Sequence, residues 1–310
     1  MNILVTGAKG FIGQNLMRMP VELGGDHTFW FMTTRLVGRL EGRRGNVNCD
    51  IANANQVRGL MEWLQPEIVI HLAARSVVAE SQDDPTSISS VNVQGTHNLL
   101  HYAPRGCRFV FASSATVYGG GEKGMLSRRA FRENDPPRPS SAYAATKAAG
   151  EHLVHAYTEM GRVSGISLRL VAQVGQYSTH GLIHDIVRKL RSESECLELI
   201  GEAPGSQKPF MYVRDTVLAL LYFALHNTQT EPLNISTEDS ITVEEIAVLC
   251  MKSLNIQKPI KWLGWNANWA GDNPRILVCP YRAEKAGYQP LFKNSYDAVE
   301  AGLEDIVNVK

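Results

Sequence analysis

The stretch Met1 to Gly13, MNILVTGAKGFIG, decides the fold. Asn2 to Thr6 is an apolar run of strand length, and Gly7, Gly10 and Gly13 follow at intervals of three. Gln14 to Met19 then continues with residues that suit a helix. A strand, a glycine turn and a helix start aim free backbone N–H groups and the positive end of a helix dipole at one point, which suits a pyrophosphate. In that reading Gly7 makes the tight turn, Gly10 lets phosphates approach the backbone, and Gly13 lets the helix sit close to the sheet. Lys9, Phe11 and Ile12 fill the same cofactor-contacting turn. A bare glycine triplet is also compatible with a plain strand-to-helix turn, and its place directly behind a strand favours the dinucleotide.

Outward from this turn, short apolar runs alternate with helix-forming segments. Thr28 to Thr33, Asn46 to Asp50, Glu67 to Ala74, Arg108 to Ala112 and Ile166 to Val171 read as strands. Such alternation builds a doubly wound parallel sheet, the Rossmann α/β fold. Beyond residue 172 the pattern changes: Leu182 to Leu190 and Asp215 to Leu225 read as helices, and Leu197 to Ile200 as a short strand. Pro232 to Ile235 reads as a strand that rejoins the main sheet, and Thr242 with Glu245 forms a capping box. We therefore expect a dinucleotide-binding domain over residues 1–171, with 213–237 returning to it, and a smaller C-terminal α/β lobe over 172–212 and 238–310.

Composition narrows the classes. Of 310 residues, 44% are hydrophobic, and Lys+Arg balance Asp+Glu at 31 each, so nothing advertises nucleic acid or an anionic membrane. Five scattered cysteines without a C-x-x-C pair imply neither a disulfide framework nor a zinc site. His180 and His184 are four apart, but no third ligand accompanies them, and no metal is expected. No run approaches the ~18 apolar residues of a spanning helix. The reading is a soluble cytoplasmic protein.

Candidate site residues sit where strands end. Thr33, Thr34 and Arg35 close the second strand, beside the expected adenosine ribose. An acid there would bind a free 2′-hydroxyl, whereas hydroxyls with Arg35 favour a 2′-phosphate, so NADP(H) is favoured. Read as solvated loop charges, Arg35 and Arg39 leave NAD(H) open. Asp50, with Ile51 after it, accepts from the adenine amino group or caps the helix carrying Val57 to Leu64. After Leu72 the strand runs into the small residues Ala73 and Ala74, as a chain needs where it passes a cofactor, so all three are candidates to contact it, and His71 before them reads as a hydrogen-bonded core histidine. Asp84 and Pro85 open a helix in which Asn92 is either exposed or bonded to a neighbouring turn. Ser113 and Ser114 end the strand after it, at the edge where open parallel sheets hold ligands.

Tyr143 and Lys147, four apart, share a helix face. A phenol titrating near about 10 is a poor base at neutral pH, and a cation one turn away favours its phenolate. Ser114 would hold the substrate oxygen whose proton Tyr143 removes or returns, while hydride passes between the adjacent carbon and nicotinamide.

These residues together resemble the extended short-chain dehydrogenase/reductase family, the nucleotide-sugar epimerases, dehydratases and reductases. The likeness rests on Gly7-x-x-Gly10-x-x-Gly13, Asp50, His71 to Ala74, Asn92-x-x-Gly95-Thr96, Ser113 to Gly119, Tyr143-x-x-x-Lys147 and Tyr212 to Asp215. It implies a nucleotide-diphosphate sugar as substrate, a C-terminal lobe that binds it, and a homodimer built on the helices beginning near residues 86 and 143. It also implies that Asn92 braces the site, that Lys147 binds the nicotinamide ribose, and that Lys208 contacts the substrate's nucleotide or diphosphate. Dehydratases of the family carry an Asp-Glu pair where this chain has Ala115 and Thr116, which argues against dehydration. Ser113 to Gly119, Thr179 to Gly181 and Trp269 to Pro274 are similar to the UDP-glucose 4-epimerase-like branch. Ala172 replaces the asparagine that seats the substrate diphosphate, and Gln173 is expected to substitute. The absent acid after the second strand keeps an NADPH-dependent reductase of a nucleotide-linked 4-keto-6-deoxy sugar beside the 4-epimerase.

Overall fold

A computed structural model of the chain describes residues 1–19, 26–34, 44–76, 84–119, 129–226, 229–264 and 275–307. Arg35, Arg39 and the stretch Trp269 to Pro274 lie outside the described residues. The chain divides into two compact units, one of 1–117, 139–170 and 217–233 and the other of 118–138, 171–216 and 234–310.

The first unit follows from its apolar runs. Strands β1 (Asn2–Thr6), β2 (Thr28–Thr33), β3 (Arg44–Asn48), β4 (Ile68–His71), β5 (Cys107–Ser114) and β6 (Val163–Leu170) pair in parallel, with Val5 beside Ile70, Ile70 beside Val110 and Val110 beside Ile166. The seven-stranded sheet runs Leu233–Ile235, β6, β5, β4, β1, β2, β3. A parallel sheet is covered on both faces, which is why β4 is buried at every residue and its sequence, IVIH, does not alternate. Helices α1 (Phe11–Arg18) and α2 (Ala54–Leu64) and the helix Ala142–Glu159 belong to this unit. The strand order reverses between β1 and β4, and open sheets of this kind hold ligands just beyond the carboxyl ends at such a switch point.

Two expected strands end early, each for a local reason. The third stops at Asn48 because Asp50 accepts from Ala52 N at 3.0 Å and bends the chain into α2. The fourth stops at His71, where Ala73 N donates to the Thr6 hydroxyl at 3.0 Å instead of joining the ladder.

The second unit has its own core, in which Ile186, Leu190 and Leu197 meet Ile246, Cys250 and Leu303. Thr242 and Glu245 make the capping box reciprocally. Residues 118–138 fall inside the stretch expected as one dinucleotide domain, yet they pack with this unit. Tyr118 stacks on Phe131 and donates to Asn234 Oδ1 at 2.6 Å, and Phe131 bridges to Val278. No described helix is long and apolar enough to cross a membrane.

Two glycines give opposite expectations. A Cβ on Gly13 would lie 2.3 Å from Gly7 O and 2.7 Å from Ala8 Cα, backbone atoms that cannot give way. Gly59, inside α2, has nothing within 4 Å of the place a Cβ would occupy. Gly13→Ala should therefore destabilise by about 1–3 kcal/mol, and Gly59→Ala should stabilise by about 0.5–1 kcal/mol through helix propensity. Urea unfolding of both variants checks the pair; a neutral Gly13→Ala would contradict the close packing.

Candidate active site

Beyond the switch point lies a cavity of about 410 Å³. Its walls are Gly7, Lys9 and Gly10 from the glycine turn, Met32 to Thr34 at the end of β2, Cys49 to Ile51 after β3, Leu72 to Arg75 after β4, and Val91. Gly7 takes φ +71, and a Cβ there would meet Ala73 N at 2.6 Å, so turn and β4 extension touch through backbone alone. The helix α1 begins at Gly10 with no side chain capping it and no acid in its first turn, which leaves the N–H groups around Phe11 and Ile12 for an anion. A cradle of glycine backbone, an uncapped helix start and a lysine fits the pyrophosphate of a dinucleotide. Thr33 is buried and Thr34 exposed, and no acid stands at this strand end. Asp50 lines the cavity but does not cap α2: Asn53 does, accepting from Asn55 N and Gln56 N.

One hydrogen-bonded chain runs from this turn to the helix Ala142–Glu159. Thr6 Oγ1 accepts from Ala73 N and gives its own hydrogen to His71 Nδ1, at 2.7 Å. His71 Nε2–H faces Thr96 Oγ1 at 2.9 Å, and Thr96 donates to Asn92 O at 2.6 Å. Thr96 spends its one hydrogen on Asn92 O, so Nε2 carries a proton, and burial keeps the imidazole neutral, which leaves Nδ1 to accept from Thr6. Asn92 is buried in a π turn, Ser90–Gln94, and its carboxamide bonds Arg75 N, Arg75 O and Thr146 Oγ1 at 2.8, 3.1 and 3.0 Å. Asn92 therefore bonds a neighbouring turn rather than solvent. Thr146 in turn donates to Tyr143 O at 2.8 Å.

At the end of β5, the Ser114 hydroxyl lies near the Tyr143 phenol and favours its ionised form. Lys147 Nζ is buried, donates to Ala112 O at 2.7 Å and lies 4.8 Å from the Phe111 ring centre. Burial brings the ammonium down to about 8, opposed by Glu151. Burial also raises the Tyr143 phenol to about 12, with Ser114 pulling it down. The expected acidification by Lys147 is thus outweighed here: its nitrogen is 5.9 Å from the Tyr143 ring centre, engaged by a carbonyl, and desolvation of the phenolate dominates.

Ser113, expected to contact cofactor, turns its hydroxyl instead onto Glu151. Glu151 is ion-paired to Arg169, with Nη2 to Oε2 at 2.7 Å and both side chains about 95% buried. Sequence reasoning passed over this pair, although Glu151 follows Lys147 by one turn and Arg169 interrupts an apolar strand. In the second unit, the Gln173 carboxamide is held by Val171 O at 2.9 Å and by the Thr216 hydroxyl, which limits its reach to a ligand. Lys208 lies half-buried on Gln207–Lys208, paired antiparallel to Ile241–Thr242. Among the described residues no group of three or more His, Cys, Asp or Glu could hold a metal ion.

The glycine turn, cavity and Ser-Tyr-Lys cluster on one Rossmann sheet define a dinucleotide-binding class of protein. Residues 3–236 match the profile of the NAD dependent epimerase/dehydratase family, and the chain belongs to that family. It is 28% identical to dTDP-glucose 4,6-dehydratase of Haemophilus influenzae, over 94% of this chain and 93% of the relative. It is 27% identical to a putative UDP-glucose 4-epimerase of Methanocaldococcus jannaschii, over 99% and 97%. A crystal structure of a UDP-galactose 4-epimerase superposes with a TM-score of 0.81 at 28% identity, covering 99% of each chain. The fold is shared with the Thermus thermophilus UDP-glucose 4-epimerase solved with NAD, at TM-score 0.83 and 23% identity over 100% of each chain.

The neutral imidazole has a measurable sign. His71 is lowered from 6.5 to about 3 by burial and by the charge of Lys147. Unfolding therefore takes up a proton between these values, so stability falls as pH drops through the interval and this group adds no dependence above it. His71→Gln should show a shallower decline in thermal stability across that interval than the wild type; parallel curves would contradict a neutral buried imidazole.

Proposed function

We propose that this protein is a nucleotide-sugar 4-epimerase, acting as a homodimer. The observation that carries the proposal is Ser114 near the Tyr143 phenol with buried Lys147 on the same helix as Tyr143, and after Ser114 come Ala115 and Thr116, neither of which can serve as acid or base for eliminating water. Gly7, Lys9, Gly10, Phe11 and Ile12 would hold the dinucleotide's pyrophosphate, Thr33 and Thr34 its adenosine ribose, Asp50 and Ile51 the adenine, and Lys147 the nicotinamide ribose. When bound, the nicotinamide supplies a hydride acceptor and donor. Ser114 holds the sugar's C4 oxygen, and Tyr143 takes its proton and later returns it. Removing that proton requires phenolate, which the Lys147 charge favours against burial, as does the Ser114 hydroxyl until the sugar oxygen takes its hydrogen. Gln173 and Lys208 are assigned to the substrate's diphosphate and nucleotide.

Both enzyme readings rest on Tyr143. Tyr143→Phe should lower turnover by about 100-fold or more, the usual worth of a positioned proton-transfer group, while dinucleotide affinity stays nearly unchanged. Equal activity would overturn the proposal. Thr33 and Thr34 in place of an acid favour a second reading, the NADPH-dependent reductase of a nucleotide-linked 4-keto-6-deoxy sugar. An epimerase leaves the reduced-nicotinamide absorbance without net change, whereas stoichiometric NADPH consumption with a keto-sugar assigns the reductase.

The same strand end supports NADP(H) over NAD(H). Calorimetric titration should give NADP⁺ binding about tenfold tighter or more than NAD⁺. Equal or tighter NAD⁺ binding would reverse the assignment.

A further inference from the structure

Ser114 is the last residue of β5, and the chain turns at once into a 3₁₀ segment, Ala115–Tyr118. That turn brings Thr116 back over the serine: Thr116 N donates to Ser114 Oγ at 3.2 Å and Thr116 Oγ1 donates to it at 2.9 Å. A serine hydroxyl has two lone pairs and one hydrogen. With both lone pairs occupied by Thr116, the only hydrogen bond left to Ser114 is the one it donates, and the phenol of Tyr143, whose ionised form Ser114 favours, lies near it.

We propose that Thr116 is a positioning residue that obliges Ser114 to act as a hydrogen-bond donor, toward the Tyr143 phenol in the free protein and toward the substrate oxygen once substrate is bound. This deepens the proton-transfer reading above and rests on it. A donor aimed at the phenol oxygen stabilises phenolate, whereas a serine free to accept would stabilise the neutral phenol. Without the Thr116 hydroxyl one lone pair opens, Tyr143 can donate to it, and the preference reverses. The charged and titratable groups are the same in either case: Lys147 on the helix of Tyr143, the Glu151–Arg169 pair, of which Glu151 acts on Lys147, and a neutral His71 from β4 that Lys147 also acts on.

The test places difluorotyrosine at position 143 and follows its ionisation by fluorine NMR against pH, in the wild type, Thr116→Val and Thr116→Ser. Loss of a charge-assisted hydrogen bond is expected to raise the midpoint in Thr116→Val by about one pH unit, tenfold in ionisation constant. Thr116→Ser, which keeps the hydroxyl, should restore the wild-type midpoint, and the acidic limb of kcat should move up in the valine variant alone. Thr116→Ala repeats the measurement should valine disturb the turn. An unchanged midpoint in Thr116→Val and Thr116→Ala, or an equal shift in Thr116→Ser, would overturn the inference. The expected titration in a protein that turns over no nucleotide sugar would uphold the role of Thr116 and overturn the proposed function instead.

Discussion

The His71 imidazole ties the glycine turn to the helix that carries Tyr143. It does so by being neutral, with one ring nitrogen accepting from Thr6 and the other donating toward Thr96. Thr6 is the last residue of β1 and lies beside His71, the last of β4, so the linkage spans the point where strand order reverses. From there Asn92 and Thr146 carry it to the Tyr143 carbonyl. Each of these groups is buried, and each would be costly to leave unpaired. A site built this way has its cofactor turn and its proton-transfer residue fixed by one connected set of bonds, which limits the positions either can take.

The charges around Tyr143 are arranged on the same economy. Glu151 and Arg169 neutralise one another in the interior, with Ser113 as an added donor, and leave Lys147 as the cation near the phenol. Removing one partner of such a pair strands a buried charge, and the geometry here, a guanidinium donating through Nε and Nη2 to both oxygens of one carboxylate, is the kind that offsets desolvation. Lys147 rests on a backbone carbonyl and an aromatic face, with its nitrogen 5.9 Å from the Tyr143 ring centre.

Much of this was legible in the sequence because it is local. The strand, glycine turn and helix of residues 2–18 follow one another directly, and Ser114 at a strand end with Tyr143 and Lys147 four apart needs only element type to be placed. The Asp84 cap with Pro85 and the Thr242 capping box are equally local, and both form. What the sequence hid depends on contacts made far along the chain. Ser113 is taken by Glu151, Gln173 by Thr216, and residues 118–138 by Asn234 and Val278. Asp50 and Asn53 are both good N-cap residues three apart, and the geometry entering α2 chose the asparagine. The phenol's titration could not be read from a spacing of four, because burial and the carbonyl that engages Lys147 are tertiary facts.

The central claim is that Ser114 and Tyr143 together grip one oxygen of a nucleotide-linked sugar. The most direct measurement is a crystal structure with NADP⁺ and a UDP-hexose bound together. The account predicts both hydroxyl oxygens within about 2.6–3.2 Å of the same sugar oxygen. A bound sugar whose oxygens all lie well beyond that reach of Tyr143, in a fully ordered complex, would contradict it.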